Sequence, residues 1–319
     1  MKKALALFLS FCLILALASG CGGGKTSETA APDGGGAPAK SARDQIYEII
    51  EEYPIAFNGI PPKVLEDRTG IVKGLPVEKK DPKDITIGYV TGSVGSPFFT
   101  TMLNNLQKKC EDAGFKFIYQ VSNFNTEVSL QQMDAFISQG VDIILANVDV
   151  QASGPTFKKA AEAGIPVVAT SNQPVDTSAN VITDILAGSY KAGFYVGEYN
   201  AKKLYKKGDV LDVGFVLIQF GTGDTESRSN GFVSGFLYGA REIDGNPYPS
   251  KWEAMLDGYN IWTKFTKEGK LDVSDKGLNL IGAGVDPNHQ ADAAGGQAGA
   301  TDLITAHPDL DILFVECDP

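Results

Sequence analysis

Residues 85–121 read ITIGYVTGSVGSPFFTTMLNNLQKKCEDAGFKFIYQV, and the succession of patterns in them decides the fold. Ile85–Val90 is rich in β-branched and aromatic residues and reads as a strand. Phe99, Met102, Leu103, Leu106, Cys110 and Ala113 then recur at helical spacing. Gly114 stops that helix, and Phe115–Val121 is strand again. The unit repeats downstream. Leu130, Met133 and Ile137 mark a second helix, Gly140 ends it, and Val141–Ala146 is a near-continuous apolar strand. A third helix, Ser153–Ala163, ends at Gly164 and is followed by the strand Ile165–Thr170. Glycine suits each helix end because it takes the left-handed conformation with no Cβ to clash. Strands joined through helices in this way form right-handed βαβ units of a parallel sheet. Strands that are apolar on both faces need helices on both.

Outward from this core the pattern recurs. After Asn180–Asp184 a helix spans Ala187–Leu204. The second series is strand Val210–Gln219, helix Thr225–Ala240, strand Leu278–Gly282, helix Gln290–Ala306 and strand Ile312–Val315. The expected fold class is therefore α/β: two doubly wound parallel-sheet lobes, 85–185 and 186–319, with a cleft between them. Residues 243–276, which hold Tyr248, Trp252, Tyr259 and Trp262, read as an insertion, a surface subdomain packing its own aromatics in preference to a ligand lid. Residues 43–84 read as a connector, helical around Gln45–Glu52 and then extended through Pro54, Pro61, Pro62 and Pro76. The chain stops at Pro319, just past a strand, which would leave a parallel-sheet edge open. The expectation is a second lobe that is incomplete and a chain truncated at its C-terminus.

The N-terminus points to export. Lys2 and Lys3 precede the apolar run Ala4–Leu17 and the small residues Ala18-Ser19-Gly20 before Cys21. Such a segment reads as a secretory signal, residues 1–20, and is too short for a good membrane span; a short membrane anchor is the alternative. Residues 21–42 are Gly-, Ser-, Thr-, Pro- and Ala-rich and read as a tether. The cysteine after Ala-Ser-Gly resembles the bacterial lipobox, which implies that Cys21 carries a diacylglycerol; Ala18 stands where that pattern prefers Leu. Several acyl chains on one residue would hold the protein stably at a membrane. Of the other cysteines, Cys12 leaves with the signal, and Cys110 and Cys317 lie far apart, so no disulfide framework is expected.

Charge and composition narrow the function. A formal net charge of −11 repels phosphate backbones and argues against nucleic acid as a partner. The two histidines, His289 and His307, leave little for a zinc site or a histidine acid–base pair. Gly92-Ser-Val-Gly95 lacks dinucleotide spacing, and neither a phosphate-binding P-loop nor a nucleophile elbow is present. No catalytic residue, metal site or cofactor is expected.

Ligands of open parallel sheets bind beyond the carboxyl ends of the strands. Those loops hold Thr91–Phe99, Asn147 and Asp149, Ser171–Gln173, Gly221–Arg228, and Glu316, Cys317 and Asp318. Neutral hydrogen-bonding groups, carboxylates, an arginine and paired aromatics suit a sugar, which offers both apolar ring faces and hydroxyls. Each residue also has a plainer use: Phe98 or Phe99 as core, Ser171 and Asn172 as turn formers, Arg228 as a solvated charge, Asp318 as a helix cap.

Several stretches together resemble the type I periplasmic binding proteins of the ribose and galactose import class. They are Ser96-Pro97-Phe98-Phe99, Gln139–Leu145, Ala163–Val167, Thr183-Asp184, Ser227-Arg228 through Phe232, and Thr305–Asp309 through Pro319. The resemblance, running from Ile85 to the end, implies ligand contacts at Ser96, Phe98, Phe99, Ser171, Asn172, Arg228 and Asp318, with Asp292 a weaker match. It implies three crossings between the lobes, the first near Asp184–Gly188 and the others beyond Pro319. Ser171-Asn172 replaces the Asp-Arg of ribose-type members and Cys317 replaces their Asn, so the ligand need not be ribose. The reading that follows is a lipid-anchored receptor on the outer side of the membrane. It would capture a small polar ligand, a monosaccharide first among them, for an ABC permease. The alternative is a sugar sensor signalling to a membrane partner, similar to the autoinducer-2 receptor branch, whose first-loop Trp is missing here. A lac-repressor-type regulator of the same fold would need a helix-turn-helix and a cytosolic home.

Overall fold

The computed structural model describes residues 39–61, 63, 80–148, 152–170, 181–185, 187–287 and 292–317. Cys21, Ser171, Asn172, Asp318 and the apolar run 4–17 lie outside them. The described chain opens with α1 (Ala42–Glu52), where Ser41 Oγ accepts the Asp44 N–H at 3.2 Å, and a 3₁₀ turn at Pro54–Phe57.

The first sheet is built as its glycine-stopped helices require. β1 (Thr86–Thr91), β2 (Lys116–Val121), β3 (Ile143–Ala146), β4 (Val167–Thr170) and β5 (Val181–Ile185) lie in the order β2-β1-β3-β4-β5. Every neighbouring pair is parallel. The crossovers are α2 (Pro97–Asp112), α3 (Thr126–Gln139) and α4 (Gly154–Glu162). Gly114, Gly140 and Gly164 end them at φ of 80°, 67° and 75°, the left-handed turn that lets each strand start at once. Met133 and Phe136 of α3 and Phe157 and Ala160 of α4 share one core with Val90, Ile144 and Val167.

The second sheet contains β6 (Leu211–Leu217), β7 (Leu271–Val273), β8 (Leu278–Val285) and β9 (Ile312–Val315), in the order β7-β8-β6-β9. β8 and β9 run parallel to β6, and β7 is antiparallel to β8. Its helices are α5 (Ser189–Leu204), α6 (Gly223–Asp244), α7 (Lys251–Glu268) and α8 (Ala293–Ala306). β6 shows why both faces are apolar. Val213, Phe215 and Leu217 join the core built with α6 and α7, while Gly214 and Val216 meet Leu303 and Gly299 of α8. α5 and α6 approach through glycines: Gly193 and Gly197 on one helix face Gly231 and Gly235 on the other. A Cβ on Gly235 would lie 2.7 Å from the Phe194 carbonyl carbon, so nothing larger fits this contact.

Two expectations need correction. The 243–276 stretch is not a surface subdomain, since the Trp262 and Phe265 that pack on each other also enter the core of the second sheet. Ala254, Met255, Gly258, Ile261, Trp262 and Phe265 form one buried face of α7. The Trp262 and Phe265 rings lie 5.1 and 5.5 Å from Phe215 of β6, inside the core of the second sheet. Nor is the chain around Pro54 extended. Phe57 is fully buried, its ring 4.9 Å from Tyr190 and 5.6 Å from Tyr259. Asn230 Nδ2 donates to Ala56 O at 2.9 Å, and the Tyr190 N–H donates to Asn58 O at 3.1 Å. Residues 56–58 therefore dock on α5, α6 and α7 of the second sheet. Cys110 is buried in α2 and Cys317 is half-buried after β9. Among the described residues no helix is long and apolar enough to cross a membrane.

Candidate functional site

Doubly wound sheets open a crevice where the strand order reverses, at the carboxyl ends of the strands on either side. In the first sheet that point is β1, which has β2 on one flank and β3 on the other. Thr91 is buried and its hydroxyl donates to Ser93 O at 3.1 Å. Ser93 Oγ accepts the Gly95 N–H at 2.9 Å, so the loop after β1 is tied to itself. Ser96 caps α2, with Oγ accepting the Phe99 N–H at 3.5 Å, and is itself buried. The cap sets the two phenylalanines on the first turn. Phe98 is 58% exposed, which decides between core and surface for that ring, and Phe99 is half-buried. Their rings meet edge to face at 5.1 Å, and Phe124, from the loop after β2, meets Phe99 edge to face at 5.4 Å.

A buried polar group lies at the carboxyl ends of β3 and β4. The Asn147 N–H donates to Val90 O at 2.9 Å, which holds the residue at the end of β3. Asn147 Nδ2, Tyr89 Oη and Thr170 Oγ1 are buried and complete no hydrogen bond in this structure. Burial pushes the Tyr89 phenol up, and the polar groups of Thr91, Asn147 and Thr170 around it pull the other way. Buried polar atoms without partners are uncommon and carry a cost of about 1–3 kcal/mol each, so a cluster at a strand-end crevice is material for a ligand's hydroxyls.

In the second sheet the order reverses at β6, between β8 and β9. A cavity of about 240 Å³ opens there, lined by Leu217, Ile218, Asp286, Asp292, Gln297 and Glu316 among others. Asp292 caps α8 by accepting the Gly295 N–H at 2.8 Å. Glu316 Oε1 accepts the Ile218 N–H at 2.9 Å, while Oε2 has no partner. Burial pushes the Glu316 carboxyl up to about 7, against the pull of Thr225, the Ile218 amide and the Arg228 charge. Arg228 Nη1 donates to Glu316 O at 3.0 Å, and Nη2 lies 3.4 Å from Asp224 Oδ1. Asp224 also accepts from Ser189 Oγ at 2.7 Å, at the first turn of α5. The arginine is thus held at the end of β9 and is not a solvated surface charge. Glu226 is committed elsewhere: it accepts from the Gly221 N–H at 2.8 Å and Trp262 Nε1 at 2.7 Å, and burial raises its pKa.

Ser96, Phe98, Phe99 and Asn147 thus stand at the carboxyl edge of the first sheet, and Arg228 and Asp292 at that of the second. Tyr89, Thr170 and Phe124 were not among the expected residues, whereas Asp224 and Glu316 lie in the strand-end loops the sequence singled out. Phe124 was within reach of the strand-end rule, because Ser122-Asn123-Phe124-Asn125 directly follows the second strand. Among the described residues no cluster of His, Cys, Asp or Glu is arranged to hold a metal.

The family model of the periplasmic binding protein domain matches residues 87–319. The chain belongs to this family. This periplasmic binding protein is 28% identical over 234 residues to the ribose import binding protein of Salmonella typhimurium, a match covering 73% of this chain and 64% of that one. It spans between 48 and 64% of the length of the ribose import binding proteins it matches. An ABC transporter solute binding protein from Burkholderia graminis in complex with D-arabinose superposes at a TM-score of 0.56 and 20% identity, over 75% of this chain and 68% of that one. Another from Burkholderia multivorans, with an unknown ligand represented as α-D-erythrofuranose, gives a TM-score of 0.51 at 25% identity over 72% and 70%. Periplasmic binding proteins work outside the cytoplasm as a class of substrate-binding proteins, and this chain shares their two-lobe α/β fold.

Proposed function

We propose that this periplasmic binding protein captures a monosaccharide between its two lobes and delivers it, unaltered, to an ABC permease. The observation that carries this reading is the pairing, at one strand-end crevice, of exposed aromatic rings with buried, unpartnered hydrogen-bonding groups. Phe98 and Phe99 offer faces for an apolar sugar ring, and Asn147, Tyr89 and Thr170 offer polar atoms that a ligand's hydroxyls would satisfy. On the second lobe Arg228, Glu316 and Asp292 supply charged partners for further hydroxyls. Ser171, Asn172 and Asp318 complete the contact set by resemblance. The ribose importer relative supports a sugar over other small polar ligands. Closure of the lobes would bring the two half-sites onto one ligand and create the form a permease recognises. Cys21, modified with lipid, would hold this receptor at the outer side of the membrane, with residues 22–41 as its tether.

A thermal-shift screen of the purified protein against pentoses, hexoses and furanosyl sugars tests the reading. One or more sugars should raise the melting temperature in proportion to the logarithm of their concentration, and be recovered chemically unchanged. A screen in which no sugar shifts the transition, or a sugar recovered as a different compound, refutes it.

A further inference from the structure

The loop after β2 carries a conformation that needs a reason. Asn123 and Phe124 are the two non-glycine residues with positive φ among the described residues, at 51° and 54°. A bulky side chain there is sterically costly, and such strain persists only where the surroundings over-determine it. They do so here. The Ser122 N–H donates to Thr91 O at 2.9 Å, the Phe124 N–H donates to Gly92 O at 2.9 Å, and the Asn125 N–H donates to Ser122 O at 3.0 Å. Asn125 then caps α3 by accepting the Val128 N–H at 3.0 Å. The loop after β2 is thereby stitched to the loop after β1.

The result of the stitching is a ring position. Phe124 lies over Gly92, where a Cβ would come within 2.5 Å of Cε1, so only glycine leaves room for it. From there its ring meets Phe99, and Phe99 meets Phe98, each pair edge to face. Phe124 is 39% exposed, so core packing does not account for the strain. Resting on the proposed function above, we propose that Phe124 is a positioning and specificity-determining residue. It backs the Phe99 ring and so fixes the depth of the aromatic wall, limiting how large a sugar fits against it. Edge-to-face packing constrains the tilt of Phe99 as well as its distance, and stacking on a sugar face depends on both.

The test uses the purified protein, titrated calorimetrically with D-ribose, D-arabinose, D-glucose and D-fructose. Phe124→Gly removes the ring while leaving a residue suited to the positive φ. It should keep or raise the melting temperature, weaken the best-bound sugar about tenfold or more, and compress the affinity ratio between pentoses and hexoses. Phe124→Tyr keeps the ring and should retain both affinity and ratio. Gly92→Ala, which pushes the ring from its seat, should reproduce the compressed ratio without altering Phe124. Wild-type affinity and selectivity in Phe124→Gly overturn the proposal while leaving sugar capture intact. A parent protein that binds none of the four sugars overturns both.

Discussion

Gly235→Ala sets two physical effects of opposite sign against each other. In an isolated helix alanine is favoured over glycine by about 1 kcal/mol, so α6 taken alone would gain. In the fold, the added Cβ would lie 2.7 Å from the carbonyl carbon of Phe194 and 2.9 Å from its Cα, and closer still to its oxygen. Carbon atoms prefer about 3.5–4.0 Å, so α5 and α6 would have to part by about 1 Å. They cannot part locally, because Gly197 and Gly231 face the opposite helix in the same way, with backbone atoms at 2.7 and 3.0 Å from a built Cβ. Overpacking of this kind costs about 1–3 kcal/mol and sometimes more. With the propensity gain subtracted, the expected net loss is about 1 kcal/mol, or roughly 2–4 °C in melting temperature for a body of this size. Differential scanning calorimetry of the variant measures it. Gly296→Ala, where a Cβ meets nothing within 4 Å, is the control and should stabilise by about 0.5–1 kcal/mol. If Gly235→Ala is as stable as the parent or more so, the close helix approach is not what holds this lobe together.

Other outcomes follow from the site. Glu316 titrates at about 7 in the fold, above its unfolded value, so its contribution to stability is full below about pH 4.5 and is lost as pH rises through 7. The full linkage is about 3 kcal/mol, and Glu316→Gln should gain on the parent between pH 5 and 8 in urea unfolding; parallel curves would show that the carboxyl is not raised. Arg228→Ala should weaken sugar binding about ten- to a hundredfold in calorimetric titration, since hydrogen bonds to charged groups contribute about 1.5–3 kcal/mol, with little loss of stability. Cys21→Ser should release the protein from the membrane fraction or leave its precursor uncut, whereas normal processing and fractionation would rule out lipidation.

The helix–glycine–strand repeat made the first sheet legible because its information is local. A left-handed residue after an amphipathic run stops the helix whatever the rest of the chain does, and Gly114, Gly140 and Gly164 all take that conformation. The second sheet's core strands were legible from their apolar runs, since the helices before β6 and β9 end at Tyr205 and His307 and not at a glycine. Where reading by pattern failed, the deciding partner was remote. The aromatics of α7 looked self-sufficient because nothing near them in sequence announces Phe215, which is where Trp262 and Phe265 pack. Phe57 read as part of a linker because its pocket is made by Tyr190 and Tyr259, far along the chain.

The candidate site divides along the same line. The strand-end rule and the family resemblance placed Ser96, Phe98, Phe99, Asn147, Arg228 and Asp292 in loops beyond the strands, which requires only the order of elements. Which of those groups are committed and which are open depends on distances between elements. Ser96 is occupied in capping α2, and Asp292 in capping α8, whereas Nδ2 of the Asn147 side chain is left without a partner. Glu316 lay in a strand-end loop, but its raised pKa became legible only once β9 was set beside β6, because burial in the fold is its cause. By itself the sequence determined the βαβ architecture and the strand-end loops in which the candidate site is sought. Tertiary structure alone decided the hold of the Glu316 carbonyl on Arg228, the seat of Phe124 over Gly92 and the glycine contact of α5 with α6. Periodicity records which face a residue turns inward, but desolvation, ring packing and backbone approach depend on what the folded chain brings to meet it.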